Sequence, residues 1–155
     1  MSNNPTCQVR FGVIALPTSH APPAGRLWTN ARIIMRGDTL LLALRAGKKT
    51  LSTRLWCANT VKRMQRLVHT RACVRIQTNY EYDSICGWSV LKSVSDLAPA
   101  INVVTEGVVR AAGVGDMSVA EYIKEFCSVE KPDGTVSPGM VAIVQFGQFW
   151  PVIVY

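Results

Sequence analysis

The sequence predicts one mainly antiparallel all-β domain of seven or eight short strands, with two helices in the connections. Three observations carry this expectation. Of 155 residues, 48% are hydrophobic and 17% charged, the balance of a chain with a core to bury. Short runs rich in Val, Ile and aromatic residues recur along the chain, divided by turn signals such as "PTSHAPPAG", "EYDS" and "VEKPDGTVSPG". Helical patterning is confined to two stretches. Neither repeats nor a linker interrupt the pattern, so residues 1–155 read as a single domain.

In chain order, "CQVRFGVIAL" alternates and then runs apolar like a strand, and prolines close it. "NARIIMRG" and "TLLLALRAG", either side of a turn at Gly37-Asp38, read as a strand pair. Over residues 51–69, Leu51, Leu55, Ala58, Val61, Met64 and Val68 recur at steps of three and four. That spacing makes one apolar helix face, with Lys62, Arg63 and Arg66 on the rest of the circumference. "TRACVRIQTNY" and "ICGWSVLKSV" return to strand character. The stretch "DLAPAINVVTEGVVRAAG" stays open between strand and helix, because β-branched residues compete with a helical spacing. Ser118 followed by Glu121 forms a capping box, so a helix begins near Asp116 and covers "VAEYIKEFC". A long turn follows, and "MVAIVQFGQFWPVIVY" ends the chain as a core strand with an apolar tail.

Several chemistries are disfavoured. Gly113-Val114-Gly115 before the second helix imitates a phosphate loop. A dinucleotide fingerprint would need a third glycine where Ser118 stands, and Asp116 would repel phosphate. No GxSxG occurs, and neither histidine has a local acidic orienter. Glu121 and Glu125, with Lys124 between them, read as a solvated helix face. The five cysteines form no CxxC pair and read as small hydrophobes in a reducing compartment. A metal site of His20 or His69 with these cysteines has no recognisable spacing. No apolar run reaches membrane-spanning length, and the N-terminus lacks a secretory pattern. The expectation is therefore a protein that is not an enzyme, with no cofactor, no metal and no membrane partner.

Charge is the strongest signal. Residues 1–75 carry thirteen Lys or Arg and one acid, Asp38, whereas residues 76–155 carry four bases and nine acids. Arg45, Lys48, Lys49, Arg54, Lys62, Arg63, Arg66 and Arg71 follow one another with no acid among them and with Trp56 interleaved. Clustered cations neutralise phosphates, release counterions and give salt-sensitive, sequence-tolerant binding. These eight residues are the predicted RNA contacts.

"RACVRIQTNYEYDSICGWSVLKSVSD", "VVRAAGVGDMSVAEYI" and "MVAIVQFGQF" together resemble the coat proteins of the cucumovirus and bromovirus group. The match runs through Tyr82-Asp83-Ser84, then Arg110, Ala111, Gly115, Asp116 and Met117, and spans roughly residues 71–147. The resemblance implies an eight-stranded jelly-roll β-sandwich, with one or two short helices in the connections. It also implies self-assembly into an icosahedral shell around single-stranded RNA, with the virion and the host cytoplasm as its places. The uncharged start "MSNNPTC" departs from the group's arginine-rich arm, so that arm's function is not carried over. In the coat proteins that the chain resembles, a C-terminal arm clamps a neighbouring subunit. The tail 149–155 is the counterpart, with Phe149, Trp150, Val152 and Val154 as interface anchors. The tail could instead pair within its own sheet. An alternative function is a non-assembling RNA-binding protein, such as a viral silencing suppressor.

Overall fold

A computed structural model describes residues 9–11, 21–35, 38–80 and 84–152. The elements run β1 (Val9–Phe11), β2 (Leu27–Ile34), α1 (Asp38–Arg45), β3 (Leu51–Arg54), α2 (Ala58–Thr70), β4 (Cys73–Gln77) and β5 (Ile85–Val94). They continue β6 (Ala98–Pro99), α3 (Ala100–Val103), α4 (Glu106–Ala111), α5 (Val119–Phe126), β7 (Ser128–Glu130), β8 (Val136–Pro138) and β9 (Met140–Pro151). One large sheet has the order β1-β2-β4-β5-β9-β3, and β6 also pairs with β9; β7 and β8 form a separate hairpin. The expectation of a mostly β, mainly antiparallel domain holds. The exception is β2 with β4, which run parallel. Parallel neighbours require a long crossover, here the stretch holding α1, β3 and α2.

The alternation of β9 shows how the sheet is covered. Ala142, Val144 and Phe146 enter a core with Ala31, Ile33, Val74 and Ile76, closed by Leu44 of α1 and by Val61, Met64 and Leu67 of α2. Val141 and Ile143, pointing the other way, join Leu51, Val109, Tyr122 and Ile123, beneath α4 and α5. Helices therefore occupy both faces around β9. A sandwich would place a second sheet there, and among the described residues the only other sheet is the two-stranded β7–β8 hairpin.

Three local expectations are corrected. "TLLLALRAG" forms a helix, not a strand, because Leu and Ala are strong helix formers and no β-branched residue follows Thr39. The helix expected over 51–69 begins only at Ala58. Leu51–Arg54 instead lies against Gln145–Ala142 of β9 as an edge strand. The ladder outweighs the local spacing, so Leu55 and Ala58 are exposed and the buried helix face is Val61, Met64 and Leu67. The long turn "VEKPDGTVSPG" contributes to the β7–β8 hairpin, whose tip is tied by Asp133 accepting from the Thr135 amide and hydroxyl. The capping box is present as expected, with Ser118 and Glu121 each bonding the other's backbone.

Gly87 shows how tightly β5 and β9 pack. A Cβ there would lie 2.6 Å from the Trp150 carbonyl oxygen and 2.5 Å from the Phe149 ring. The carbonyl belongs to the ladder and cannot swing away. Gly87→Ala is expected to cost at least the ~1–3 kcal/mol usual for overpacking, read as a lower urea midpoint. An unchanged midpoint would show that β9 yields at this point.

Candidate nucleic-acid interface

Helix α2 is the element that carries charge into solvent. Its buried residues fall at 61, 64 and 67, so the opposite side carries Asn59, Lys62, Arg66 and His69, all exposed. These four lie at steps of three and four, which places them in one stripe along the helix. Gln65 fixes the helix to the end of β5, donating to the Val94 carbonyl at 3.2 Å and to an Asp96 carboxylate oxygen at 2.8 Å. The neighbouring acid is thus engaged by an amide. Lys62 and Arg66 are like charges one turn apart, which costs a helix a few tenths of a kcal/mol, about 0.2–0.5. With no acid in α2, that repulsion brings the fold no compensation.

The other predicted cations divide. Arg45, in the last turn of α1, and Lys48 just after it are exposed. Arg71 is exposed and caps α2 in the left-handed conformation at φ 56°, which a glycine ordinarily occupies. Arg63 is half-buried and donates to the Thr60 hydroxyl at 3.0 Å. Lys49 and Arg54 do not belong to this surface, which corrects the sequence reading. Lys49 is buried, its Nζ donating to the carbonyls of Leu51 (2.9 Å) and Ala112 (3.0 Å). Arg54 donates through Nη1 to the Ile34 carbonyl at 2.6 Å. Burial, helped by the neighbouring Arg54, lowers the Lys49 pKa to about 7. Burial likewise lowers Arg54 to about 10, against the raising influence of Tyr122 and Tyr80.

The buried Lys49 and the half-buried Arg54 line a cavity of about 550 Å³ at the free edge of β3. Paired residues of adjacent strands share a face, so Arg54, opposite Ala142, lies on the α2 side, and Thr53, opposite Ile143, on the α5 side. Thr53 Oγ1 is 2.8 Å from the Tyr122 hydroxyl and 3.4 Å from Cys127 Sγ. Burial raises the Tyr122 and Cys127 pKa values, against the lowering effect of the Thr53 hydrogen bond on each. The cavity draws from both layers because an edge strand is where they meet. Sequence reading missed it, since its walls lie far apart in the chain.

The expected interface tail is placed differently again. Phe149 and Trp150 belong to β9, opposite Ser89 and Trp88 of β5. Phe149 packs against the main core, and Trp150 against a smaller cluster that buries Trp28, Trp88 and Val152. Arg26 lies over the Trp150 ring at 4.7 Å. The chain does not leave the domain at residue 149, and Val152 is 8% exposed in the subunit's own core. Val154, Tyr82 and Asp83 lie outside the described residues. Residues 113–117 are the turn from α4 to α5, as the reading against a phosphate loop expects. Gly113 takes φ +86° and its amide donates to the Arg110 carbonyl, while the Met117 amide donates to that of Val114.

Among the described residues no helix is long and apolar enough to cross a membrane. No family model matches the chain, no curated protein matches it, and no solved structure matches it.

Proposed function

We propose that the protein binds single-stranded RNA through the solvent face of α2, and that it does so as a viral coat protein assembling around its genome. One observation carries the RNA reading: Lys62 and Arg66 stand exposed in one stripe of a helix that contains no acid. A polyanion is the partner that turns this repulsion into binding energy. Arg45, Lys48 and Arg71 extend the supply of exposed cations. Assembly into an icosahedral shell, residence in the virion and the host cytoplasm, and the jelly-roll sandwich come with the coat-protein resemblance. RNA binding through α2 depends on none of them.

The second reading is a non-assembling RNA-binding protein such as a silencing suppressor. It is favoured by the tail, since Trp150 and Val152 pack into the subunit's own core and the expected clamp loses its anchors. Negative-stain microscopy separates the two: uniform shells support the coat protein, and discrete small oligomers with salt-sensitive RNA binding support the alternative. For either, the double variant Lys62→Ala/Arg66→Ala is expected to weaken RNA binding without regard to sequence. It should also reduce the slope of log affinity against log salt by about 1.4, at roughly 0.7 per phosphate contact on single strands. Filter binding across a salt series measures it, and an unchanged slope would remove α2 from the interface.

A further inference from the structure

We propose that the cavity at the β3 edge binds a nucleoside monophosphate, its phosphate between Lys49 and Arg54 and its base against Tyr80 and Phe126. The site goes beyond RNA binding by α2 and uses different residues. Lys49 and Arg54 are the two cations that line the cavity, and among the described residues neither has an ion-pair partner. Arg54 Nε is buried and unpartnered, and Nη2 donates to no described residue. An arginine without a counter-charge is costly when partly buried, and Arg54's bond to the Ile34 carbonyl could be made by a neutral amide at less cost. The arrangement therefore lacks an anion. Arg54's Nε and Nη2 form the edge of the guanidinium that engages two oxygens of one phosphate.

The remaining walls describe what else the ligand carries. Ser52, Thr53 and Tyr122 supply hydroxyls, while Ile34, Met35, Leu55 and Val114 supply apolar surface. Tyr80 is exposed at the rim, where Arg32 lies over its ring at 4.9 Å, and Phe126 packs against Tyr122 at 5.0 Å. Glu125 also lines the cavity. A lone carboxylate there suits the hydroxyls of a sugar and disfavours a ligand that is anionic throughout. About 550 Å³ lies within the range of pockets that enclose a ligand of this size. A phosphate, sugar hydroxyls and a flat ring each find a matching group among these walls.

The test is calorimetric titration of the full chain with adenosine 5′-monophosphate and adenosine. The monophosphate is expected to bind at least about tenfold more tightly than adenosine, the loss of one charged hydrogen-bonded contact. Arg54→Gln should remove most of that preference. Tyr80→Ala, at an exposed rim position, should weaken both ligands by a similar factor while leaving the preference intact. Near-ultraviolet circular dichroism checks the fold of each variant. Should Arg54→Gln fail to fold, the comparison of the two ligands on the native chain and on Tyr80→Ala still decides. Lys62→Ala/Arg66→Ala is expected to bind the monophosphate as the native chain does. Absence of binding at millimolar monophosphate, equal binding of adenosine, or parallel loss in the Lys62/Arg66 variant would each overturn the site. The RNA reading fails separately, on the salt slope.

Discussion

Deletion of residues 149–155 is expected to abolish cooperative folding. The loss removes Val152, 8% exposed beside Trp28, Cys73, Ile85 and Trp88. Burying a side chain of that kind contributes about 1.5–3 kcal/mol. It also removes two half-buried aromatic rings, Phe149 from the main core and Trp150 from the tryptophan cluster. The end of the β5–β9 ladder goes with them, through Gly87↔Pro151, Trp88↔Trp150 and Ser89↔Phe149, together with the Val152 amide bond to the Cys86 carbonyl at 2.9 Å. These losses sum to roughly 5 kcal/mol or more, against a total stability of about 5–15 kcal/mol for a domain. Trp28 and Trp88 meet edge to face at 5.9 Å, so their near-ultraviolet dichroism reports the packing directly. The truncated chain is expected to lose that signal and its sigmoidal urea transition. A truncated protein that keeps both yet no longer associates would restore the detached arm. Val152→Ala gives a milder form of the same test, at about 2 kcal/mol.

Stability is expected to rise with pH from about 7 upward, and Lys49 is the reason. Its folded pKa of about 7 lies below its ordinary 10.5, so the fold favours the neutral amine. Below pH 7 both folded and unfolded chains hold the proton, and the penalty of burying the charge is present in full. Between about 7 and 10.5 the unfolded chain keeps a proton that the folded chain has released, so stability increases by about 1.4 kcal/mol per pH unit. Cys73, Cys127 and Tyr122 act in the opposite direction, because burial raises their pKa values and the unfolded chain ionises first. Their effect begins near their ordinary values of 9 and 10. Cys57, its pKa lowered from 9 by hydrogen bonding to Thr60, acts in the same direction as the lysine, so the lysine's share between pH 7 and 8.5 is read as the difference from a Lys49 variant. Across that window the gain should reach about 2 kcal/mol. Lys49→Met should flatten the rise, at the cost of leaving the Leu51 and Ala112 carbonyls without their donor. Urea midpoints at three pH values for both chains measure the difference. A native chain as flat as the variant would show that Lys49 keeps its proton through its two carbonyl acceptors.

Element type was legible where local chemistry and tertiary structure agree. The β4 and β5 strands, rich in Val, Ile and Trp, and the core strand β9 were readable from their apolar content. The start of α5 was readable because both halves of a capping box lie within four residues. On α2, Lys62 and Arg66 were correctly separated from the apolar positions, since Val61 and Met64 are buried and the two cations are exposed. In each of these cases the deciding interaction is short in sequence.

The rest required partners distant in the chain. Leu51–Arg54 satisfied a helical spacing and became a strand because β9, some ninety residues later, offers a ladder at the sheet edge. Lys49 and Arg54 looked like any surface cation until α4, α5 and the end of β2 enclosed them. Trp150 and Val152 looked like an arm until Trp28 and Trp88 surrounded them. The sequence by itself determined that this chain folds, that it is mostly β, and that a run of cations without acids lies in its first half. Only the tertiary structure decided which of those cations face water and which face a cavity. Exposure is a property of the packed surface, and no local pattern of charge contains it.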